Sequence, residues 1–211
     1  TSQLRLPTPP GFMIGVKTCA MLGKAQVNEN FTATMDDAIT RLEEETGKRL
    51  GDPENPLLLA VRSGASVSMP GMMETILNVG VTPLTLPALQ DIAGDDFFAL
   101  DSYRRFLEGF CKSTLNIDHP MFNAQTTGQA GLADHIKDLE AVVSERIGGE
   151  QLCDARYLLN ECIHAVIRSS SSATAQAYRK KTGLPESLGT AVTVQAMVFG
   201  NTGADSGTGV V

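Results

Sequence analysis

The 211-residue sequence contains no tryptophan and only four cysteines, and aromatic residues make up 5% of it. None of the cysteines (Cys19, Cys111, Cys153 and Cys162) belongs to a CxxC pair. This spacing favours reduced, buried thiols in a cytosolic protein over disulfide bonds or a zinc site. We therefore expect a cytoplasmic protein whose fold depends on packing rather than on covalent or metal cross-links.

Long apolar runs and blocks of like charge are missing too. The mean hydropathy is −0.02, and no segment approaches the apolar length that spans a bilayer. No signal-like pair of a basic and an apolar region opens the sequence. The net charge of −7 comes from 17 basic and 24 acidic residues that are spread along the chain. We therefore expect neither a membrane nor a nucleic acid as a partner.

The general catalytic motifs are also missing. The sequence has no Walker A loop, no Ser-His-Asp order and no cluster with metal-ligand spacing. Glu43, Glu44 and Glu45 fit a solvated helix face better than a catalytic acid and base. At this length the chain can form one large domain or two small ones with a sizeable core. Any chemistry must come from a more specific motif.

The most informative segment is Val61–Thr75, which reads VRSGASVSMPGMMET. The apolar run from Pro56 to Val61 predicts a buried strand that ends on Arg62 and presents its guanidinium at the mouth of a sheet. The small residues that follow let backbone N–H groups approach an anion, and a guanidinium is a rigid fork of donors that suits phosphate. Two other interpretations stay open: a structural ion pair for Arg62, and adaptable core filling for the methionines.

The segment resembles the N-terminal domain of the pyruvate, phosphate dikinase family, whose signature is S-V-R-S-G-A-x-x-S-M-P-G-M-M-D/E-T-x-L-N-x-G. Further stretches that match the family are LPTPPGF, LGDPENP, DSYRRF and GTAVTVQAMVFGNTG. Phosphoenolpyruvate synthases share the V-R-S start but lack the M-P-G-M-M run, so this segment separates the two groups. The resemblance is close at both ends of the chain and weaker from about Pro83 to Lys181.

The resemblance implies a nucleotide site in two parts. In the family the arginine at the position of Arg62 contacts the transferring phosphates of ATP, which makes Arg62 the expected catalytic residue. The loop that follows covers the nucleotide, and the expected cofactor-binding residues there are Arg62, Met69, Gly71, Met72, Met73 and Thr75. Adenine recognition is expected from Gln195, Met197 and Val198, on a strand from Ala191 to Phe199. The implied cofactors are ATP and Mg²⁺, with the magnesium ligands expected beyond Val211.

The resemblance also implies an α+β fold of the ATP-grasp type with an all-helical insert. Three parts are expected. Residues 1–82 would form a nucleotide-binding α/β subdomain with its phosphate loop at 61–75, and residues 83–168 an insert of three or four helices. Residues 169–211 would return to the α/β core with the adenine-side strand at 191–199.

Local patterns add element boundaries to this outline. Residues 12–14 predict a short strand after a run of prolines. Thr34 to Gly47 predicts a helix, with Thr34 as its N-cap and Gly47 as its stop. The serine-rich segment Ser169–Ala175 is either a flexible joint or the entry to a short helix, and Asn201–Gly209 predicts hairpin turns.

The family's reaction interconverts ATP, inorganic phosphate and pyruvate with AMP, diphosphate and phosphoenolpyruvate. It proceeds through a phosphorylated histidine on a separate carrier domain. The G-x-T-S-H-A motif of that histidine does not occur here, so His119, His135 and His164 are expected to be structural. The resemblance implies that the chain binds ATP, that its partner is the carrier domain of the same full-length protein, and that this protein is a cytoplasmic homodimer. The chain alone is expected to be inactive.

Departures from the family pattern leave two alternatives. The family's G-G-K-G lysine segment would precede Thr1, and its F-T-R-N-P segment would follow Val211. Ser170 and Thr174 stand where the family usually has tryptophan and arginine. The alternatives are the nucleotide-binding domain of another dikinase, such as phosphoenolpyruvate synthase, and a non-catalytic binding or regulatory module.

Overall fold

The computed structural model describes residues 8–24, 29–64, 74–118, 122, 128–185, 189–200, 205 and 207. The strands in these residues are β1 (Gly11–Ile14), β2 (Leu59–Gly64), β3 (Thr75–Val79) and β4 (Ala191–Ala196). The helices are α1 (Val16–Leu22), α2 (Glu29–Thr46), α3 (Leu86–Ala93), α4 (Asp96–Ser113), α5 (Gly128–Ile147), α6 (Gly149–Cys153), α7 (Ala155–Ser169) and α8 (Ala173–Thr182).

The four strands form one antiparallel sheet in the order β1-β4-β2-β3. The register places Val61 of β2 opposite Val194 of β4 and opposite Ile76 of β3. All three side chains are buried, because cross-strand partners point to the same face of a sheet. Helices and an antiparallel sheet in one structure confirm the expected α+β class.

The helices cover one face of this sheet. Helix α7 contacts β2, β3 and β4, and α4 contacts β3. Leu159, Cys162 and Val166 of α7 are fully buried in the same core as Val61 and Val194. Complete burial of such a side chain stabilises the fold by about 1.5–3 kcal/mol. The helices and the sheet therefore share one core, and the division of the chain at residues 82 and 168 stays a prediction.

Helix α2 is longer than its sequence pattern indicated. It begins at Glu29, so the expectation that Thr34 is the N-cap was wrong. Phe31 packs against the core one turn before Met35, which extends the apolar stripe and the helix with it. Gly47 ends the helix as predicted, with φ of 66° and its N–H donating to the Glu43 carbonyl.

Glu43, at the end of α2, is only partly the solvated side chain that was expected. Glu44 and Glu45 are exposed, whereas Glu43 is half-buried. Its Oε1 accepts a hydrogen bond of 3.0 Å from the backbone N–H of Leu50. This contact ties the turn after α2 to the helix.

In the described part of residues 83–168, five helices begin, α3 to α7, rather than three or four. Capping side chains divide the region. Asp95 accepts a hydrogen bond from the N–H of Phe98 and starts α4, after α3 has ended at Gly94 with φ of 61°. Asp154 accepts from the N–H groups of Arg156 and Tyr157, which separates α6 from α7.

The serine-rich segment is the entry to a helix, which confirms one of its two interpretations. Ser172 accepts a hydrogen bond from the N–H of Ala175 and caps α8. Arg179, in the last turn of α8, is buried and donates from Nη1 to the Ser170 carbonyl at 2.8 Å. Because this acceptor is a backbone carbonyl, the contact does not depend on the serine side chain that stands where the family usually has tryptophan.

Two strand ends differ from their predictions. Strand β2 does not end on Arg62 but continues to Gly64, because Ser63 and Gly64 pair with Val192 and Ala191 of β4. Strand β4 ends at Ala196 rather than Phe199, since its partner β2 begins at Leu59. Of the predicted hairpin at Asn201–Gly209, only residues 205 and 207 are described, so that prediction lies almost wholly outside the described residues.

Candidate functional site

The face of the sheet opposite the helices presents a row of side chains that crosses all four strands. Arg62 of β2 pairs with Thr75 of β3 and with Thr193 of β4, and Thr193 pairs with Met13 of β1. Arg62 and Thr75 are exposed, Thr193 is half-buried, and Met13 is 65% exposed. These four residues, called here the open-face row, form a surface of polar and apolar side chains that includes the guanidinium of Arg62.

Arg62 is the only charged member of the open-face row. Among the residues that the structure describes, no carboxylate and no other acceptor contacts its guanidinium. In the described part of the chain this removes the interpretation of Arg62 as a structural ion-pair donor. An exposed guanidinium fixed on a strand by two neighbouring strands keeps its full set of donors for an anion.

The sequence between β2 and β3 contains most of the expected phosphate-loop residues. Met69, Gly71, Met72 and Met73 lie outside the described residues, so their roles stay predictions. Thr75 is described, but it is the first residue of β3 rather than part of a loop. It lies directly opposite Arg62.

Gln195 lies on the same face as Arg62, two positions farther along β4 than Thr193. It pairs with Ala60 of β2 and with Gly11 of β1. Its side chain is already engaged, because Nε2 donates to the Pro9 carbonyl at 3.0 Å. The amide oxygen of Gln195 remains as an acceptor in addition to the backbone groups of the strand.

Met197 and Val198 follow β4 instead of lying on it, which corrects the prediction of one strand through both residues. The N–H of Met197 donates to the Leu58 carbonyl at 2.9 Å, and its sulfur accepts from the N–H of Asn78 at 3.2 Å. Val198 is 70% exposed. Phe199 turns back to the helices, where its ring meets Phe98 edge-on at a centroid distance of 5.4 Å.

Asn78 is a site-adjacent residue that the sequence analysis missed. It is buried, yet its φ is +59°, a conformation uncommon for a residue other than glycine. Its side-chain Nδ2 donates to the Ser102 carbonyl of α4 at 3.0 Å, while its backbone N–H holds Met197. An asparagine two residues before a glycine was the available signal, since asparagine tolerates this conformation.

The two described histidines lie on helices. His135 is buried in α5, with Nε2 at 3.2 Å from Oε1 of Glu108, and His164 lies on α7. His119 lies outside the described residues. Neither described histidine is on a strand of the open face.

The four cysteines are free thiols, as the sequence predicted, and three of them are buried. Burial raises the pKa of Cys111 to about 11 and also raises the pKa of Cys19 and Cys162. Raised pKa values leave these thiols protonated and unsuited to nucleophilic attack at neutral pH. Within the described ranges, no group of three metal-binding side chains occurs and no helix is long and apolar enough to cross a membrane.

Comparison with known proteins identifies the family. A family model described as "Pyruvate phosphate dikinase, AMP/ATP-binding domain" matches residues 17–211. The chain belongs to this family. The resemblance that rested on the Val61–Thr75 segment is thereby confirmed.

Three similar proteins are all named pyruvate, phosphate dikinase. The protein of Rickettsia conorii is 42% identical over 99% of this chain, and that of Giardia intestinalis is 40% identical over 99%. The protein of Clostridium symbiosum is 38% identical over 98%. The matched region covers 25–26% of these relatives, so the chain spans about a quarter of their length.

Proposed function

We propose that this chain is the ATP-binding part of a pyruvate, phosphate dikinase, and that its sheet belongs to a domain of the ATP-grasp type. The observation that supports this best is Arg62, an exposed guanidinium on the open-face row with no partner among the described residues. The chain belongs to an AMP/ATP-binding family, so the anion that we expect at Arg62 is the phosphate chain of a nucleotide.

The open face has room for both ends of a nucleotide. Arg62 lies opposite Thr193 of β4, and Met197 comes four residues after Thr193. At about 3.3 Å per residue these positions are separated by roughly 13 Å, the scale of an extended nucleotide. Phosphates at Arg62, with Thr75 and Thr193 as neighbouring hydroxyls, would leave adenine near Gln195, Met197 and Val198.

In this proposal Arg62 is a catalytic residue for phosphoryl transfer. Transfer of the ATP β-phosphoryl to a carrier histidine spreads negative charge over the phosphate oxygens, and a fixed cation stabilises that charge. The histidine would lie on the carrier domain, and the pyruvate site elsewhere in a cytoplasmic, homodimeric full-length protein. A 211-residue chain without these parts would show no turnover.

Magnesium does not fit the open-face row as described. Mg²⁺ is held by carboxylates and other oxygens in near-octahedral geometry, whereas this row offers two hydroxyls, a thioether and a cation. We therefore assign no step to a metal on this row, and we place the magnesium ligands of the complete site beyond Val211.

The test of the proposed function is ATP binding by the complete protein that contains this chain, measured by calorimetry. Arg62→Ala should weaken binding by about 10- to 150-fold, because a charge-assisted hydrogen bond contributes about 1.5–3 kcal/mol. Arg62→Lys should recover little of the loss, since a point charge does not replace a bidentate fork.

The matched control is Arg146→Ala, which removes an exposed arginine from the last turn of α5. It should bind ATP as the wild type does. Wild-type affinity in Arg62→Ala would remove the phosphate role from Arg62.

A further inference from the structure

Glu74 lies next to the open-face row, immediately before Thr75 and the start of β3. Two long-range hydrogen bonds hold it. Its Oε2 accepts from Ser113 Oγ at 2.9 Å, and its backbone N–H donates to Ser169 Oγ at 3.3 Å. Ser113 and Ser169 are the last residues of α4 and α7. The start of β3 is thus attached to the ends of two core helices.

The second serine is itself fixed. Ser169 Oγ donates to the Val166 carbonyl at 2.7 Å. This bond fixes the orientation of the hydroxyl, and with it the lone pair that accepts from the backbone N–H of Glu74. The two helix ends are also joined to each other, because Arg168 Nη2 donates to the Thr114 carbonyl at 3.3 Å. Glu74 therefore bonds to two helix ends that are joined to each other, rather than to isolated side chains.

Charges of both signs surround Glu74. The C-terminal ends of α4 and α7 carry partial negative charge, but Lys112 and Arg168 of their last turns line the same polar cavity of about 600 Å³ and offset it. The hydrogen bonds to Ser113 and Ser169, rather than the local charge, therefore support a role of Glu74.

We propose that Glu74 is a positioning residue for the nucleotide site. By its bonds to Ser113 and Ser169 it fixes the start of β3, and so places Thr75 and the paired Arg62 on the open face. It touches no phosphate itself. This inference rests on the proposed function, in which Arg62 binds the phosphates of ATP.

The experiment measures ATP binding and thermal unfolding in the complete protein. Glu74→Ala and Ser113→Ala should each weaken ATP binding by about fivefold, the factor that corresponds to one hydrogen bond of about 1 kcal/mol. Glu74→Gln keeps an acceptor for Ser113 and should bind within about twofold of the wild type. Glu44→Ala and Ser171→Ala are the matched controls, because both residues are exposed and neither side chain bonds to Glu74, Ser113 or Ser169.

A double-mutant cycle separates positioning from general support. If Glu74 acts through Arg62, then Glu74→Ala should add no further loss of ATP affinity in the Arg62→Ala background. A merely structural role would lower affinity equally in both backgrounds, with a matching fall in unfolding temperature, and would overturn the proposal. So would equal losses in Glu74→Gln and Glu74→Ala, since the hydrogen bond would then not be the cause.

Different results would contradict the proposed function and the role of Glu74. If Arg62→Ala alone leaves ATP affinity unchanged, the proposed function fails and the role of Glu74 with it. If Arg62→Ala weakens binding while Glu74→Ala matches the wild type, only the role of Glu74 is wrong.

Discussion

Asn78 shows at the scale of one residue how the end of the candidate site is held. Its positive φ points the backbone N–H to Met197, and its side chain reaches Ser102 in α4. A left-handed conformation costs about 1–2 kcal/mol for a residue with a Cβ. The buried contact with Ser102 offsets part of that cost and joins β3 to the helices.

We predict that Asn78→Ala lowers the free energy of unfolding by about 2 kcal/mol, because alanine tolerates the left-handed conformation less well than asparagine does and because a buried hydrogen bond is lost. Urea denaturation measures the change. Asn116→Ala is the control, since Asn116 has the same φ of 59° but is exposed. Its loss should be about half as large, and equal losses in the two variants would contradict a stabilising contact with Ser102.

The buried thiols predict a dependence of stability on alkaline pH. Burial raises the pKa of Cys19, Cys111 and Cys162 in the folded state, with Cys111 at about 11 against an ordinary value of 9.0. The folded state therefore binds more protons than the unfolded state above pH 9, and stability falls as pH rises from there toward 11.

Urea denaturation between pH 8 and 10.5 checks this sign. The free energy of unfolding should be level near pH 8 and should decline above about pH 9. The decline should be smaller in Cys111→Ala, whatever the variant's stability at pH 8. A slope identical to that of the wild type would show that Cys111 does not titrate upon unfolding.

At the scale of elements, the sequence predicted the element boundaries that depend on a few neighbouring residues. Strand β1 and the stop at Gly47 were correct, because proline, a short apolar run and a glycine act within a few residues. The start of α2 and the end of β4 were wrong, since packing of Phe31 and the extent of β2 decide them. The split between α6 and α7 needed the bonds of Asp154.

Asp154 gives the element-scale prediction. Asp154→Ala should lower the free energy of unfolding by about 0.5–2 kcal/mol, because the N–H groups of Arg156 and Tyr157 lose their acceptor. Thermal unfolding measures it. Asp154→Ser keeps an acceptor and should retain most of the stability. An Ala variant as stable as the wild type would mean that this cap does not stabilise α7.

At the scale of the whole molecule, the sequence singled out Arg62 but not the residues that surround it. Arg62 stood out from its motif, and the structure leaves it exposed and without a partner among the described residues. Thr193 and Met13 were missed, because they join Arg62 only through pairing of strands far apart in the chain. Glu74 was missed for the same reason, since Ser113 and Ser169 lie 39 and 95 positions away.

The central claim is that the sheet face opposite the helices binds ATP with its phosphates at Arg62. The most direct measurement is a crystal structure of the complete protein with a non-hydrolysable ATP analogue. We predict phosphate oxygens within about 3 Å of the Arg62 guanidinium, next to Thr75 and Thr193, with adenine toward Met197. A nucleotide bound elsewhere, with Arg62 free of phosphate, would contradict the claim.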